Sequence, residues 1–134
     1  MSQQSVAMIQ GLYQAFAKGD VPTVLGCMAP DMEWREADGF VYADGNPYIG
    51  ANAILNGVFM RLATEWDRFM ATPETFHDAG DSVIATGHYS GTYKATGKPI
   101  HAQFAHFWTV KDGKATSFQQ YTDTLQSSQV TSNK

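Results

Sequence analysis

Apolar positions recur at helical spacing through the first half of the chain and alternate with polar ones through the second. Val6, Ile9, Leu12, Tyr13 and Phe16 share one face of a helix predicted from about Gln3 to Lys18. Gly19 suits its end, where a left-handed residue is often needed. Asp20 can cap a second helix with Pro22 in its first turn, and Val21, Val24, Leu25 and Met28 give that helix its stripe before Pro30 and Asp31 end it. Met32 to Glu36 is a short strand. The segment ADGFVYADGNPYIG that follows is a loop by its Asp, Gly, Asn and Pro content, with room for a small hairpin around Phe40 to Tyr42. A third helix, capped by Asn52, carries Ile54, Leu55, Val58, Phe59, Leu62 and Trp66 on its apolar face. The period then changes to that of strands. Phe69 to His77 is bent or at an edge because of Pro73. Ser82 to Lys94, Pro99 to Val110 and Ala115 to Thr124 follow, joined by the turns DAGD, ATGK and KDGK. The order is helix, helix, strand, helix, then four strands: an α+β domain with helices packed on one curved, antiparallel-rich sheet. Such a sheet encloses a concavity of the kind small molecules occupy.

Composition narrows the function classes. The chain has 134 residues, enough for one domain, with 43% apolar and 13% aromatic residues to build a core. A single domain is expected over residues 1–125, followed by a polar, frayed tail over 126–134. The net charge of −4 disfavours binding to a phosphate backbone, so no nucleic-acid partner is expected. No apolar run approaches the ~20 residues of a membrane span, and the N-terminus lacks the basic and apolar regions of a signal peptide. A cytoplasmic, membrane-free protein is expected. Cys27 is the sole cysteine, which excludes an intrachain disulfide, and it reads as buried and inert. Phosphate-binding glycine motifs and nucleophile elbows are absent. His88, His101, His106 and Asp123 lie on neighbouring strands but show no metal-site spacing, so neither a metal nor a cofactor is expected.

Several segments together resemble the nuclear transport factor 2-like superfamily, and within it the SnoaL-like polyketide cyclase group. They are the AKGD turn after the first helix, Ala29-Pro30-Asp31-Met32-Glu33-Trp34 at the entry to the first strand, and Gly50 before the third helix. The fullest match is HFWTVKDGK from His106 to Lys114 followed by FQQYTDT from Phe118 to Thr124. The resemblance spans roughly residues 4 to 125. It implies a cone: a curved sheet closed by three helices. The superfamily includes cyclases, ketosteroid isomerases, epoxide hydrolases, dehydratases and non-catalytic members, so fold alone leaves function open.

Strand alternation sorts the candidate chemistry. Phe104, His106 and Trp108 share a face whose aromatic content marks it as interior. Gln119, Tyr121 and Asp123 share a face of the last strand. If that face is also interior, Asp123 meets His106 in an aromatic cavity, where desolvation raises a carboxylate toward the range a general base needs. The resemblance also implies this role for Asp123, because the cyclases use an aspartate on this strand as base. Otherwise Asp123 caps the strand end. His106 is then an acid, base or hydrogen-bond donor, or a satisfied core histidine. His101, on the opposite face, is structural or exposed. Trp34 and Glu36 share a face of the first strand. Trp34 reads as cavity wall. Glu36 roughly matches the isomerases' catalytic carboxylate, although a solvated strand-end residue is the simpler reading. Tyr13 lies near the isomerases' oxyanion-hole tyrosine, but the second donor of that site, an acid there, aligns with Ala105 or its neighbours. The acid–arginine–acid spacing of the epoxide hydrolases has no counterpart around Arg35, Arg61 or Arg68.

The expectation is therefore a general acid/base isomerase, cyclase or dehydratase acting on a small apolar carbonyl compound. Asp123 and His106 would be catalytic. Tyr13, Phe16, Trp34, Glu36, Phe59, Phe104, Trp108, Gln119 and Tyr121 would bind substrate. The alternatives are a non-catalytic ligand-binding domain and a homodimerisation module, the latter pairing through outward residues such as Tyr93, Phe107 and Phe118.

Overall fold

Helix α1 (Ser2–Ala17) buries Ile9, Leu12 and Tyr13, the stripe that its sequence spacing defines. The structure, a computed structural model, describes residues 2–132. Asp20 caps helix α2 (Val21–Gly26), accepting hydrogen bonds from the Thr23 amide at 3.3 Å and the Thr23 hydroxyl at 2.6 Å. This helix is shorter than its apolar spacing predicts. Met28 belongs to strand β1 (Met28–Arg35), which runs through Pro30 and Asp31. Cys27, at the junction, is half-buried rather than buried, and its thiol donates to the Thr23 carbonyl.

The expected hairpin near Phe40 is replaced by a single 3-10 turn (Ala43–Gly45) and a two-residue strand, β2 (Tyr48–Ile49). A continuous helical run follows, made of α3 (Ala51–Ile54), a π turn (Leu55–Phe59) and α4 (Met60–Glu65). Its N-cap is Gly50, at φ +86°, instead of Asn52. A glycine suits that left-handed backbone because it has no Cβ to clash. Trp66 has left the helix and opens β3 (Trp66–Asp78).

Strands β3, β4 (Ser82–Tyr93), β5 (Pro99–Lys111) and β6 (Lys114–Thr122) form the antiparallel meander read from the sequence. Strand β1 then pairs parallel to β6, giving one six-stranded sheet in the order β2-β1-β6-β5-β4-β3. Two register shifts interrupt β3 against β4, and Arg68 beside the first has φ +56°. Such bulges bend a sheet. Gly87 faces Pro73 at the second shift, where an added Cβ would lie 2.0 Å from the Thr72 carbonyl oxygen. The inner face carries Val83, Ala85 and Tyr89 of β4, Phe104, His106 and Trp108 of β5, and Phe118 and Gln120 of β6.

The expected frayed tail is largely ordered. Helix α5 (Thr124–Val130) buries Ser127 and Val130. Thr96 donates to the Val130 carbonyl at 2.6 Å and Lys98 Nζ to the Ser132 carbonyl at 2.6 Å, tying the segment to the β4–β5 turn. Residues 133–134 lie outside the described residues. Among the described residues, no helix is long and apolar enough to cross a membrane.

Candidate active site

The inward faces of β1, β4, β5 and β6 meet α1, α2 and α4 around a cavity of about 50 Å³. Leu12, Tyr13, Phe16, Val24, Trp34, Phe59, Trp108 and Phe118 supply much of its apolar wall. Four polar side chains reach it among them: Tyr13, Tyr89, His106 and Gln120, with Glu36 as the one carboxylate. Of the lining residues, Phe16 and Phe69 keep partial solvent contact, which places the opening between α1 and β3.

His106 is 4% exposed and stacks on Phe104 with ring centroids 4.0 Å apart. Tyr13 Oη is hydrogen-bonded to its Nδ1, and Tyr89 Oη to its Nε2 at 2.5 Å. Trp108 Nε1 donates to Tyr13 Oη at 3.0 Å. Gln120 Nε2 donates to Tyr89 Oη at 2.8 Å, and Gln120 Oε1 accepts from the Ala37 amide at 2.9 Å. An unbroken chain thus runs from the end of β1, through two tyrosines and the histidine, to Trp108. Burial pushes the imidazole down to about 3, so His106 is neutral at physiological pH. Burial also raises both phenols well above their usual range, and the Glu36 charge raises Tyr89 further.

Glu36 is 3% exposed, immediately beyond β1. Alternation places it on the same side as Met32 and Trp34, while Glu33 and Arg35 face solvent as an ion pair. Trp34 Nε1 donates to Glu36 Oε2 at 3.0 Å. Trp34 itself stacks on Phe118 with centroids 3.7 Å apart. The Glu36 backbone is clamped by one side chain: its amide donates to Asn46 Oδ1 at 2.8 Å, and Asn46 Nδ2 donates to its carbonyl at 2.7 Å. Burial pushes the Glu36 carboxyl up to about 7, against smaller opposing effects of the Trp34 hydrogen bond and the Arg61 charge. A carboxylate that exchanges a proton near neutrality, in an apolar cavity, has what a general base requires.

The structure does not bring Asp123 into this cavity. The last strand ends at Thr122, and Asp123 is the exposed N-cap of α5, accepting from the Gln126 amide at 3.0 Å. Gln119 and Tyr121 also point away from the cavity, with Tyr121 54% exposed. Two features reverse the expected face. The β5–β6 register shifts between Thr109 and Val110, and the inward position is taken by the polar Gln120. Sequence reading missed Gln120, Tyr89 and Asn46. Gln120 and Tyr89 could have been found from the phase of Phe118 and the alternation of β4, whereas Asn46 sits in a loop without periodicity.

The remaining expectations divide cleanly. Tyr13, Phe16, Trp34, Glu36, Phe59, His106 and Trp108 line the cavity, and Glu36 is buried rather than solvated. Phe104 packs behind His106 and Tyr89. His101 is exposed on the outer face, stacked on His88, which is paired with Glu74 at 2.8 Å. Of the residues expected outward, Phe107 is exposed, Tyr93 packs against Trp66, and Phe118 is 2% exposed on the inside.

Fold and cavity together define an α+β domain whose curved sheet and helices enclose an apolar cavity lined also by Glu36, His106, Gln120 and two tyrosines. The chain belongs to the SnoaL-like domain family, whose model matches residues 9–118. Its solved relatives share the whole fold. A nuclear transport factor 2-like protein from Burkholderia thailandensis is 39% identical, with 95% of this chain and 96% of that one covered at a TM-score of 0.90. TerC, co-crystallised with polyporic acid, is 26% identical over 95% of this chain and 97% of its own, with a TM-score of 0.83. IdmH from Streptomyces antibioticus, a candidate polyketide cyclase, is 24% identical over 95% and 96%, with a TM-score of 0.77. No curated protein matches the chain.

Proposed function

We propose that this protein is a cofactor-independent acid–base enzyme that abstracts a proton next to the carbonyl of a small apolar compound, with isomerisation, cyclisation or dehydration as the outcome. The observation that carries this is Glu36: a buried carboxylate pushed up to about 7, sharing a cavity with neutral hydroxyl donors. Glu36 takes the proton. A tyrosine hydroxyl of the Tyr13–His106–Tyr89 chain donates to the substrate oxygen as negative charge builds on it. The aromatic wall holds the apolar body and keeps water out. The polyporic acid in TerC supports binding of a small molecule in this fold. The base moves from Asp123, where sequence placed it, to Glu36, and His106 acts through its tyrosines rather than as a charged acid.

Small enolisable ketones in D2O, followed by proton NMR, test this reading. Exchange of the proton next to the carbonyl is expected to rise with pH through about 7. It should fall by roughly a hundred- to ten-thousand-fold in Glu36→Gln, the usual contribution of a general base. Asp123→Asn should leave it unchanged. Exchange that persists in Glu36→Gln, or that requires Asp123, removes Glu36 from this role.

The apolar cavity wall supports a second reading, a ligand-binding domain without turnover, which the absence of exchange across the ketone panel would favour. In either case we propose a homodimer through the outer face of the sheet. Phe107 and Tyr121 are both exposed there and pack edge to face at 5.5 Å. Sedimentation should give twice the monomer mass, and Phe107→Glu should halve it. A monomeric wild type sinks the dimer.

A further inference from the structure

The hydrogens around His106 can be counted. The Trp108 indole is only a donor, and its N–H is used on Tyr13 Oη. The Gln120 amide is fixed in orientation because its Oε1 accepts from the Ala37 amide, so its NH2 faces Tyr89 Oη. Each tyrosine oxygen therefore already accepts one N–H that cannot be reversed. Between them stands an imidazole that touches Tyr13 with Nδ1 and Tyr89 with Nε2. A neutral imidazole has one N–H and one bare nitrogen. If Nδ1 carries the hydrogen, His106 donates to Tyr13 and accepts the Tyr89 hydroxyl hydrogen, which leaves the Tyr13 hydrogen unused. If Nε2 carries it, the Tyr13 hydrogen is used and that of Tyr89 is left over. Both tyrosines line the cavity.

From this count we infer that His106 is a tautomeric selector that leaves one tyrosine hydroxyl hydrogen, on Tyr13 or on Tyr89 and never on both, to the molecule in the cavity. The site then serves a single acceptor oxygen, as in a ketone, an enolate or a phenol. A carboxylate, with two oxygens to satisfy, is disfavoured. A ligand oxygen settling at one tyrosine fixes the tautomer and withdraws the other hydroxyl from use. His106 is thus a positioning residue, and Gln120 and Trp108 supply the fixed donors that make the selection exclusive. The purpose of this device rests on the acid–base reading above, but its measurement does not, because the tautomer is read in ligand-free protein without turnover.

Long-range proton–nitrogen NMR of 15N-histidine-labelled protein at pH 7 distinguishes the three forms of the ring. Wild-type His106 is expected to show neutral imidazole shifts with one protonated nitrogen per ring. In Tyr13→Phe the hydrogen should move to Nε2, where Tyr89 still accepts it, because an orphaned buried N–H is the costlier arrangement. In Tyr89→Phe it should move to Nδ1. Opposite tautomers in the two variants support the selector. An imidazolium in the wild type, which would free both hydroxyl hydrogens, overturns it, as does the same tautomer in both variants. Should either variant fail to fold, the wild-type spectrum still decides between one and two protonated nitrogens.

Discussion

Burial makes the stability contributions of Glu36 and His106 run in opposite directions with pH. The Glu36 carboxyl rises from 4.5 to about 7, so between those values the folded protein holds a proton that the unfolded chain has released. Its ionisation then disfavours the fold, and the stability it allows below pH 4.5 is lost as pH climbs through about 7, by roughly 3 kcal/mol in all. The His106 imidazole falls from 6.5 to about 3, so the unfolded chain is the one that binds the proton, and this contribution grows with pH over that interval. From pH 4.5 to 6.5 the two oppose each other. Glu36→Gln is therefore expected to be more stable than wild type above pH 7 and to lose that advantage toward pH 4.5. Urea unfolding at pH 5, 6, 7 and 8 measures the difference, and a gap that does not widen with pH means Glu36 is not held in a dry site. Strand alternation put Trp34 and Glu36 on one side and so made the pair visible in the sequence. Which carboxylate faces the cavity was not visible, because Asp123 and Glu36 both stand one residue past a strand end and only the surrounding loops decide their burial.

At the scale of elements, the sheet's curvature is set where β3 and β4 fall out of register. Gly87 is the contact point. Its Cα lies against the backbone of Thr72 and Pro73, so a methyl group there would meet main-chain atoms rather than a side chain able to move. Gly87→Ala is expected to destabilise by about 2–3 kcal/mol, the upper part of the usual cost of overpacking. Denaturant midpoints against Gly80→Ala would check it. Gly80 sits in a turn with nothing within 4 Å of its would-be Cβ, although its φ of +78° adds strain of its own. Equal losses in the two would refute the backbone clash. Most elements were legible in the sequence because long strands rich in β-branched and aromatic residues, separated by Asp-Gly and Gly-Lys turns, permit few other arrangements. The misses lie where apolar spacing does not distinguish helix from strand. Met28 continues the α2 stripe and Trp66 the α4 stripe, yet each is the first residue of a strand. Helix α5 has a cap and two buried residues, but too little apolar sequence to announce itself.

For the whole molecule the decisive quantity is empty space. A cavity of about 50 Å³ holds a water or two, whereas ligand pockets usually measure ~300–1,000 Å³. A substrate must therefore displace side chains, and the partly exposed Phe16 and Phe69 mark where they can give way. Phe16 packs on the buried Phe59 of the π turn with centroids 5.8 Å apart, so its ring covers the mouth between α1 and β3. Removing that ring should open it. Phe16→Ala is expected to cost about 2 kcal/mol, less than the ~3–5 of a fully buried phenylalanine because Phe16 is only partly buried. It should also admit phenol, seen as shifts of the Trp34 and Trp108 indole N–H resonances, while the wild type binds it more weakly and more slowly. If wild type and variant bind phenol alike, the ring is no barrier. The cavity then opens by movement of α1 as a unit, and amide hydrogen exchange along α1 would be the place to see it.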